Sequence, residues 1–352
     1  MERKLTKQIH VGSVAIGGGA PVSIQSMTNT DTKDIEATVA QILALKEAGC
    51  DIIRAAINDE EDAKAIGEIK ARTEMPFIAD IQFDYRLALM AIEHGCDCLR
   101  INPGNIGGKE RVQAIVDACN KKSIPIRIGV NSGSLHQEMI DQYGGVNRRS
   151  IVESALKQIR ELEEMGFTNV KVALKSSNVV ETIEACRLFS EMSDYPLHLG
   201  VTEAGPKLSG SIKSAVGIGT LLAEGIGDTI RVSLTDDPIE EVYTAREILR
   251  SLGLRKEGID LVSCPTCART KINLIEIVEE AQKRLSSMKK NVTVAIMGCA
   301  VNGPGEAREA DYGIAGGSGE GILFAKGKVI RKVPESELLD VLIEAVENHE
   351  ES

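Results

Sequence analysis

The sequence predicts an α/β protein: a (β/α)8 TIM barrel followed by a small α+β domain. Three observations carry the prediction. Short β-branched runs alternate with helix-length amphipathic segments as far as Leu252; the runs number eight; and beyond Leu252 the alternation gives way to a stretch punctuated by Cys, Gly and Pro. Strands that alternate with helices pair in parallel, and eight of them close a barrel. The 352 residues suffice for a barrel of typical size, about 250 residues, with a further domain of about a hundred.

The strand runs are Val22–Met27, Asp51–Ile57, Phe77–Ile81, Cys98–Asn102, Ile126–Val130, Val170–Lys175, Leu197–Val201 and Thr229–Leu234. Helical patterns between them include Ile35–Ala48, Arg86–His94, Val152–Met165 and Ile239–Leu252. Gly49, Gly95 and Gly166 each follow a helix and precede a strand, where a left-handed residue ends the helix. An open doubly wound sheet is the alternative, but it would carry a phosphate-binding Gly fingerprint after its first strand, and Val22–Met27 is followed by none. The barrel is expected over residues 1–252 and the second domain over 253–352. In the second domain we expect a helix over Leu274–Leu285, a strand over Val292–Met297, a Gly-rich strand region from Asp311, a hairpin around Gly327 and a C-terminal helix from Glu335.

Composition narrows the function. Hydrophobic residues make up 43% and charged residues 26%, enough to bury a large core. A net charge of -11 and 3% aromatic content without Trp argue against a nucleic-acid partner, because neither phosphate attraction nor base stacking is provided for. No stretch approaches the roughly 18 apolar residues of a membrane span. Met1–Val11 is charged and lacks the apolar segment of an export signal, so a cytoplasmic, reducing location is expected. There the eight cysteines are thiols or metal ligands rather than disulfides.

Barrel chemistry sits at the C-terminal ends of the strands. Those ends supply Arg54, Asp80, Arg100, Asn102, Arg127, Asn131, Lys175, Glu203, Arg231 and Ser233. Period-two alternation places Arg100 with Asn102, Arg127 with Asn131, Lys171 with Lys175, and Arg231 with Ser233 on common faces. A charge inside a barrel is costly unless paired, and the cations outnumber the carboxylates, so the interior calls for an anion. Arginine forks match phosphate oxygens bidentately, which makes a diphosphate the natural occupant. Two Gly-rich loops, Asn102–Gly108 and Ala204–Gly210, precede helices and offer backbone N–H groups to phosphate, a weak signal by itself.

The second domain opens with Cys264-Pro265-Thr266-Cys267, and Cys299 follows Gly298 after the expected strand. Three cysteines at this spacing, flanked by Pro and Gly, point to a metal site. Structural zinc wants a fourth Cys or His, and the domain's one histidine, His349, lies in a polar tail. A 4Fe–4S cluster tolerates three thiolates and another ligand, and Glu306 in the Gly303-Pro304-Gly305 turn is placed to be that ligand. Cys50, Cys96, Cys98, Cys119 and Cys186 read as small buried hydrophobes. A barrel transferase or lyase with a structural zinc domain, and a non-enzymatic iron–sulfur redox sensor, are the competing readings.

The segments Gly17–Pro21, Gln25–Thr30, Leu99–Asn105, Arg127–Asn131, His198–Gly205, Cys264–Cys267 and Asn302–Glu306 together resemble the 4-hydroxy-3-methylbut-2-enyl diphosphate synthase family in its two-domain bacterial form. The resemblance implies reductive ring-opening and dehydration of 2-C-methyl-D-erythritol 2,4-cyclodiphosphate in the methylerythritol phosphate route to isoprenoids. Ferredoxin or flavodoxin would deliver two electrons, one at a time, through the cluster. It further implies Cys264, Cys267, Cys299 and a replaceable Glu306 as cluster ligands. Arg54, Arg100, Arg127 and Lys175 would hold the diphosphate, helped by Asn131, Arg231 and Ser233, and Glu203 would deliver a proton. Gln82 stands where the family is expected to carry His, and an amide cannot titrate near pH 7, so a proton relay at that position is lost while hydrogen bonding survives.

A head-to-tail homodimer is also expected. Barrel helices run antiparallel to the strands, so the helix over Ile239–Leu252 ends on the face opposite the chemistry. The connection Gly253–Ser263 spans at most about 35 Å, and climbing back along a helix of about 22 Å uses most of that. A partner's cluster domain closing this barrel solves the problem, and the resemblance implies the same assembly.

Overall fold

The structure, a computed structural model, describes residues 2–135, 137–256, 258–285, 288, 290–300, 305 and 307–349. The chain divides into two compact units, Met1–Arg255 and Lys256–Ser352.

In the first unit a hairpin, β1 (Ile9–Val11) and β2 (Val14–Ile16), precedes the barrel strands. These are β3 (Ser23–Met27), β4 (Ile52–Ala56), β5 (Phe77–Asp80), β6 (Cys98–Ile101), β7 (Ile126–Asn131), β8 (Val170–Lys175), β9 (His198–Leu199) and β10 (Thr229–Ile230). They form an eight-stranded parallel sheet in the order β8-β7-β6-β5-β4-β3-β10-β9, and a parallel bridge from Val172 to Leu197 links its two ends. The helices are α1 (Ile35–Ala48), α2 (Glu60–Thr73), α3 (Tyr85–Glu93), α4 (Pro103–Ile106), α5 (Lys109–Lys122), α6 (Gln137–Gln142), α7 (Arg148–Glu164), α8 (Val179–Met192), α9 (Lys207–Ala223) and α10 (Pro238–Ser251).

Local chemistry sets these boundaries. The Asp34 side chain accepts from Ala37 N to start α1, and Gly49 ends it in a left-handed conformation at φ 103°. Asn147 and Ser150 exchange bonds in a capping box that starts α7.

The barrel strands divide their side chains strictly by face. Ile53, Ala55, Phe77, Leu99, Ile126, Ile128, Val170, Val172 and Leu174 point outward into the apolar layer shared with the helices. The intervening positions point inward and are mostly polar. At the floor the interior is apolar: Ile9, Val11 and Ile16 of the hairpin pack against Ile52, Ile78 and Cys98.

The second unit holds β11 (Ile259–Ser263), α11 (Leu274–Leu285), β12 (Val292–Met297), β13 (Tyr312–Gly316), β14 (Glu320–Ala325), β15 (Lys328–Pro334) and α12 (Leu338–Glu347). Its sheet runs β11 to β15 in sequence order, the first three strands parallel and the last two antiparallel. Helices α11 and α12 bury Ala281, Leu285, Leu338, Leu342 and Val346 with Val292, Val294 and Ile296 of the sheet. On the other side Ala307 and Ala310 join Ala295, Met297 and Phe324. The tight β14–β15 turn uses positive φ at Lys326 and Gly327, as a two-residue hairpin requires. Among the described residues, no helix is long and apolar enough to cross a membrane.

Candidate functional site

The strand register lines up the charged residues of the barrel. Asp80 pairs across to Arg100, Arg100 to Arg127, and Arg127 to Lys171, one row over four adjacent strands. Two inward levels up, above Gly129 and Ala173, Asn131 is opposite Lys175. Arg54, Arg127, Lys171 and Lys175 are buried, and the Arg100 and Arg231 side chains are only 14% and 16% exposed.

Two carboxylates answer these six cations. Asp80 lies 3.0 Å from Arg100 Nη1 and 3.5 Å from Arg54 Nε, and it accepts from Gln82 Nε2 at 3.2 Å. Glu241, reaching in from α10, lies 3.5 Å from Arg231 Nε and accepts from Leu234 N at 3.0 Å. The Met27 sulfur receives Arg54 Nη2 at 2.9 Å. Nothing on the described chain answers Arg127 Nε and Nη1, Arg100 Nε or Lys171 Nζ with a hydrogen bond.

The electrostatics follow. Burial pushes Arg127 down to about 9, with Arg100 the next cause, and pushes Lys171 down to about 8. Arg54 and Lys175 are driven well below their ordinary values, by burial first and then by neighbouring arginines. Guanidinium groups keep their protons, so for the arginines this depression expresses like charge crowded into a dry interior. Such an interior favours an anion with several oxygens.

Glycines shape the space. A Cβ at Gly129 would stand 3.5 Å from Arg100 Nε and 3.7 Å from Arg127 Nη2, and one at Gly200 would meet Lys175 Nζ at 2.7 Å. The Gly200 gap is therefore filled by the lysine tip.

The remaining strand-end residues are placed less centrally. The Asn102 side-chain Oδ1 accepts from Gly104 N at 3.1 Å and so starts α4. Asn131 ends β7 and Ser233 stands past β10, both half-buried. Glu203 is exposed after β9 and has φ 53°, a left-handed conformation that is uncommon outside glycine. Strand-end reasoning passes over Gln25, Lys171, His198 and Glu241. The first three sit deeper in their strands, and only the Lys171/Lys175 alternation hints at them; Glu241 lies on a helix, where no strand pattern applies.

In the second unit Ser263 pairs with Ile296, so Cys264 and Cys299 leave adjacent parallel strands at the same end of the sheet. Gly298 N donates to Cys264 Sγ at 3.1 Å. The exposed Cys267 thiol is held below its ordinary value, first by the Arg269 backbone N–H. Burial instead pushes the thiols of Cys50, Cys96, Cys98, Cys119 and Cys186 up, which leaves them inert. Among the described residues, no three His, Cys, Asp or Glu side chains are grouped closely enough to hold a metal ion. Glu306 and residues 301–304 lie outside the described residues.

Comparison with known proteins separates the two units in the same way. Residues 6–246 match the GcpE TIM-barrel domain, and residues 260–348 match the GcpE protein C-terminal domain. Among curated proteins, the 4-hydroxy-3-methylbut-2-en-1-yl diphosphate synthase (flavodoxin) of Clostridium perfringens is 59% identical over 99% of each chain. The synthases of that name from Caldanaerobacter subterraneus and Geobacter sulfurreducens are 57% identical over 98% of this chain and 97% of theirs, and 56% identical over 97% of each, respectively. Among solved structures, Yersinia pestis dihydropteroate synthase matches with a TM-score of 0.53 at 10% identity, covering 70% of this chain and 97% of that one, a likeness of fold alone. Type I 3-dehydroquinate dehydratase from Clostridium difficile matches likewise, with a TM-score of 0.51 at 17% identity over 71% of this chain and 98% of that one.

Proposed function

The chain belongs to the GcpE family of 4-hydroxy-3-methylbut-2-en-1-yl diphosphate synthases, and on that premise we propose how its residues divide the work. It is an oxidoreductase that opens and dehydrates 2-C-methyl-D-erythritol 2,4-cyclodiphosphate reductively to the linear allylic diphosphate. The observation that carries the reading is the surplus of buried cations over carboxylates in the barrel, which a cyclic diphosphate neutralises.

Arg54, Arg100, Arg127 and Lys175 clamp the phosphate oxygens, with Asn131, Arg231 and Ser233 as further donors. Asp80 orients Arg54 and Arg100 from between them. Asn102 sets the first turn of α4, whose backbone N–H groups border the mouth. Glu203 holds the proton that leaves with the departing hydroxyl; its left-handed backbone is the kind of local strain that collects at functional sites.

Cys264, Cys267 and Cys299 hold a 4Fe–4S cluster, with Glu306 as the exchangeable fourth ligand. The donor chemistry fits: Cys264 and Cys299 leave one end of the sheet, Cys264 already accepts a backbone N–H, and Cys267 is held toward thiolate. When bound, the cluster supplies single electrons and a Lewis-acidic iron. Flavodoxin, which the curated relatives carry in their names, is the electron donor we propose, with ferredoxin as the other carrier of that class. All eight cysteines are free thiols, which suits a reducing cytoplasm. The working form we propose is the head-to-tail homodimer, each cluster serving the partner's barrel. The short connection from Ser251 to Ile259 supports it.

The test is anaerobic reconstitution with iron and sulfide, followed by turnover of the cyclic diphosphate with an artificial reductant. A brown protein that yields the allylic diphosphate is expected. A colourless protein that binds zinc and leaves the substrate unchanged overturns the reading.

A further inference from the structure

Resting on the diphosphate reading of the barrel, we propose that the Lys171 ammonium is a further binding contact for the substrate's phosphates, forming a lower tier of the anion site. Lys171 is fully buried, and its Nζ has no hydrogen-bond partner on the described chain. A buried ammonium without a counter-charge is costly, so an interior lysine of this kind needs an anion to justify it.

Register shows that the lysine can reach one. Lys171 sits directly opposite Arg127, and Arg127 sends its Nη2 up to within 3.7 Å of where a Gly129 side chain would begin. Two residues of strand rise about 6.6 Å, which a four-carbon lysine stem can span. The inward positions two residues above Arg127, Lys171 and His198 are Gly129, Ala173 and Gly200. By register Gly129 is opposite Ala173, so on two adjacent strands the inward position directly above Arg127 and Lys171 carries a small residue, while Gly200 lies one level higher, opposite Lys175, whose tip fills its place. Lys171 and Lys175 therefore stand below and above the small Ala173 on the inward face of β8.

The groups whose charge reaches Lys171 are Cys98 on β6, Arg127 on β7, Arg54 on β4 and His198 on β9. Burial keeps the Cys98 thiol and the His198 ring neutral, so none of these offers the ammonium a negative partner. Burial lowers Lys171 to about 8, and an arriving diphosphate reverses that shift.

The experiment is titration calorimetry of the cluster-loaded enzyme under anaerobic conditions, with the cyclic diphosphate and with inorganic pyrophosphate. Parent and Lys171→Met are compared at about pH 8 in two buffers of different ionisation heat. The variant is expected to bind both ligands about ten- to a hundredfold more weakly, as loss of one charge-assisted contact implies. Its melting temperature without ligand should stay level or rise, because a buried unpaired charge is gone. The parent should take up protons on binding near pH 8, and the variant fewer. Equal affinities, or an uptake that is the same in parent and variant, overturn the inference while leaving the diphosphate reading in place. If Lys171→Met does not fold, Lys171→Gln takes its place, and equal affinities again overturn the inference. A parent that binds neither ligand overturns both.

Discussion

Arg100 Nη1 lies 3.0 Å from Asp80 Oδ1, and the same two residues stand directly opposite each other on β5 and β6. The backbone register itself therefore makes the pair. Asp80 also lies 3.5 Å from Arg54, so one buried carboxylate offsets two guanidinium groups. Asp80→Ala leaves both uncompensated in a dry interior and should destabilise the ligand-free protein by about 3–5 kcal/mol in urea unfolding. Inorganic pyrophosphate should restore part of the loss. A variant as stable as its parent would show that solvent reaches these arginines.

Glu203→Gln should bind the cyclic diphosphate as the parent does yet turn it over at least about tenfold more slowly, since the amide keeps the shape and loses the proton. The split between an unchanged Kd and a lowered kcat is the measurement. An unaltered kcat across the pH range removes Glu203 from the acid role.

Cys299→Ser should lose most of its iron and sulfide. Glu306→Ala should retain a cluster on three thiolates, with an altered electron paramagnetic resonance signal on reduction and faster loss in air. Identical spectra and activity in Glu306→Ala and the parent would place the fourth ligand elsewhere.

The crowded cations give the ligand-free protein an unusual pH dependence. Lys171 is lowered from 10.5 to about 8 in the fold, so between those values the unfolded chain binds more protons than the folded one. Stability from this group is therefore least below about pH 8 and increases as pH rises toward 10.5. Melting curves across that window should show the rise, and Lys171→Met should flatten it. Saturating substrate, by holding the ammonium charged, should do the same.

Complementation tests the assembly. Arg127→Ala should weaken substrate binding by about 1.5–3 kcal/mol with cluster absorbance intact, while Cys299→Ser lacks the cluster. Mixed under subunit exchange, the two chains should regain activity, because one site then combines a sound barrel with a sound cluster from opposite chains. No recovery, with exchange demonstrated for parent chains, means that each cluster serves its own barrel.

The barrel was legible because it is built from repeated local signals. The expected α1, α11, β8 and β12 coincide with the observed Ile35–Ala48, Leu274–Leu285, Val170–Lys175 and Val292–Met297. Where the run was extended at its C-terminal end, as at Leu197–Val201 and Thr229–Leu234, the ladder stops early, at Leu199 and Ile230. Those residues turn away to form the rim, and Gly200 gives up its place to the Lys175 tip. The strand-end cations were equally visible, because a charge on an apolar strand stands out. Glu241 was not: it is one of several acids at the start of α10, and only the folded chain brings it to Arg231. The hairpin over Ile9–Ile16 was hidden for a different reason. Its three buried residues are too few and too interspersed with polar ones to announce a strand pair before the barrel floor exists to receive them.

If the barrel holds the diphosphate as proposed, that hairpin also sets the direction of traffic. With Ile9, Val11 and Ile16 stoppering the lower end, the cationic interior is a blind well, entered and left from the end where the strands finish. On that reading, incoming cyclic diphosphate and outgoing linear diphosphate, both anions, would pass through one doorway and queue for the same arginines. Each turnover has to clear its product before the next can begin, and the released water leaves by the same route.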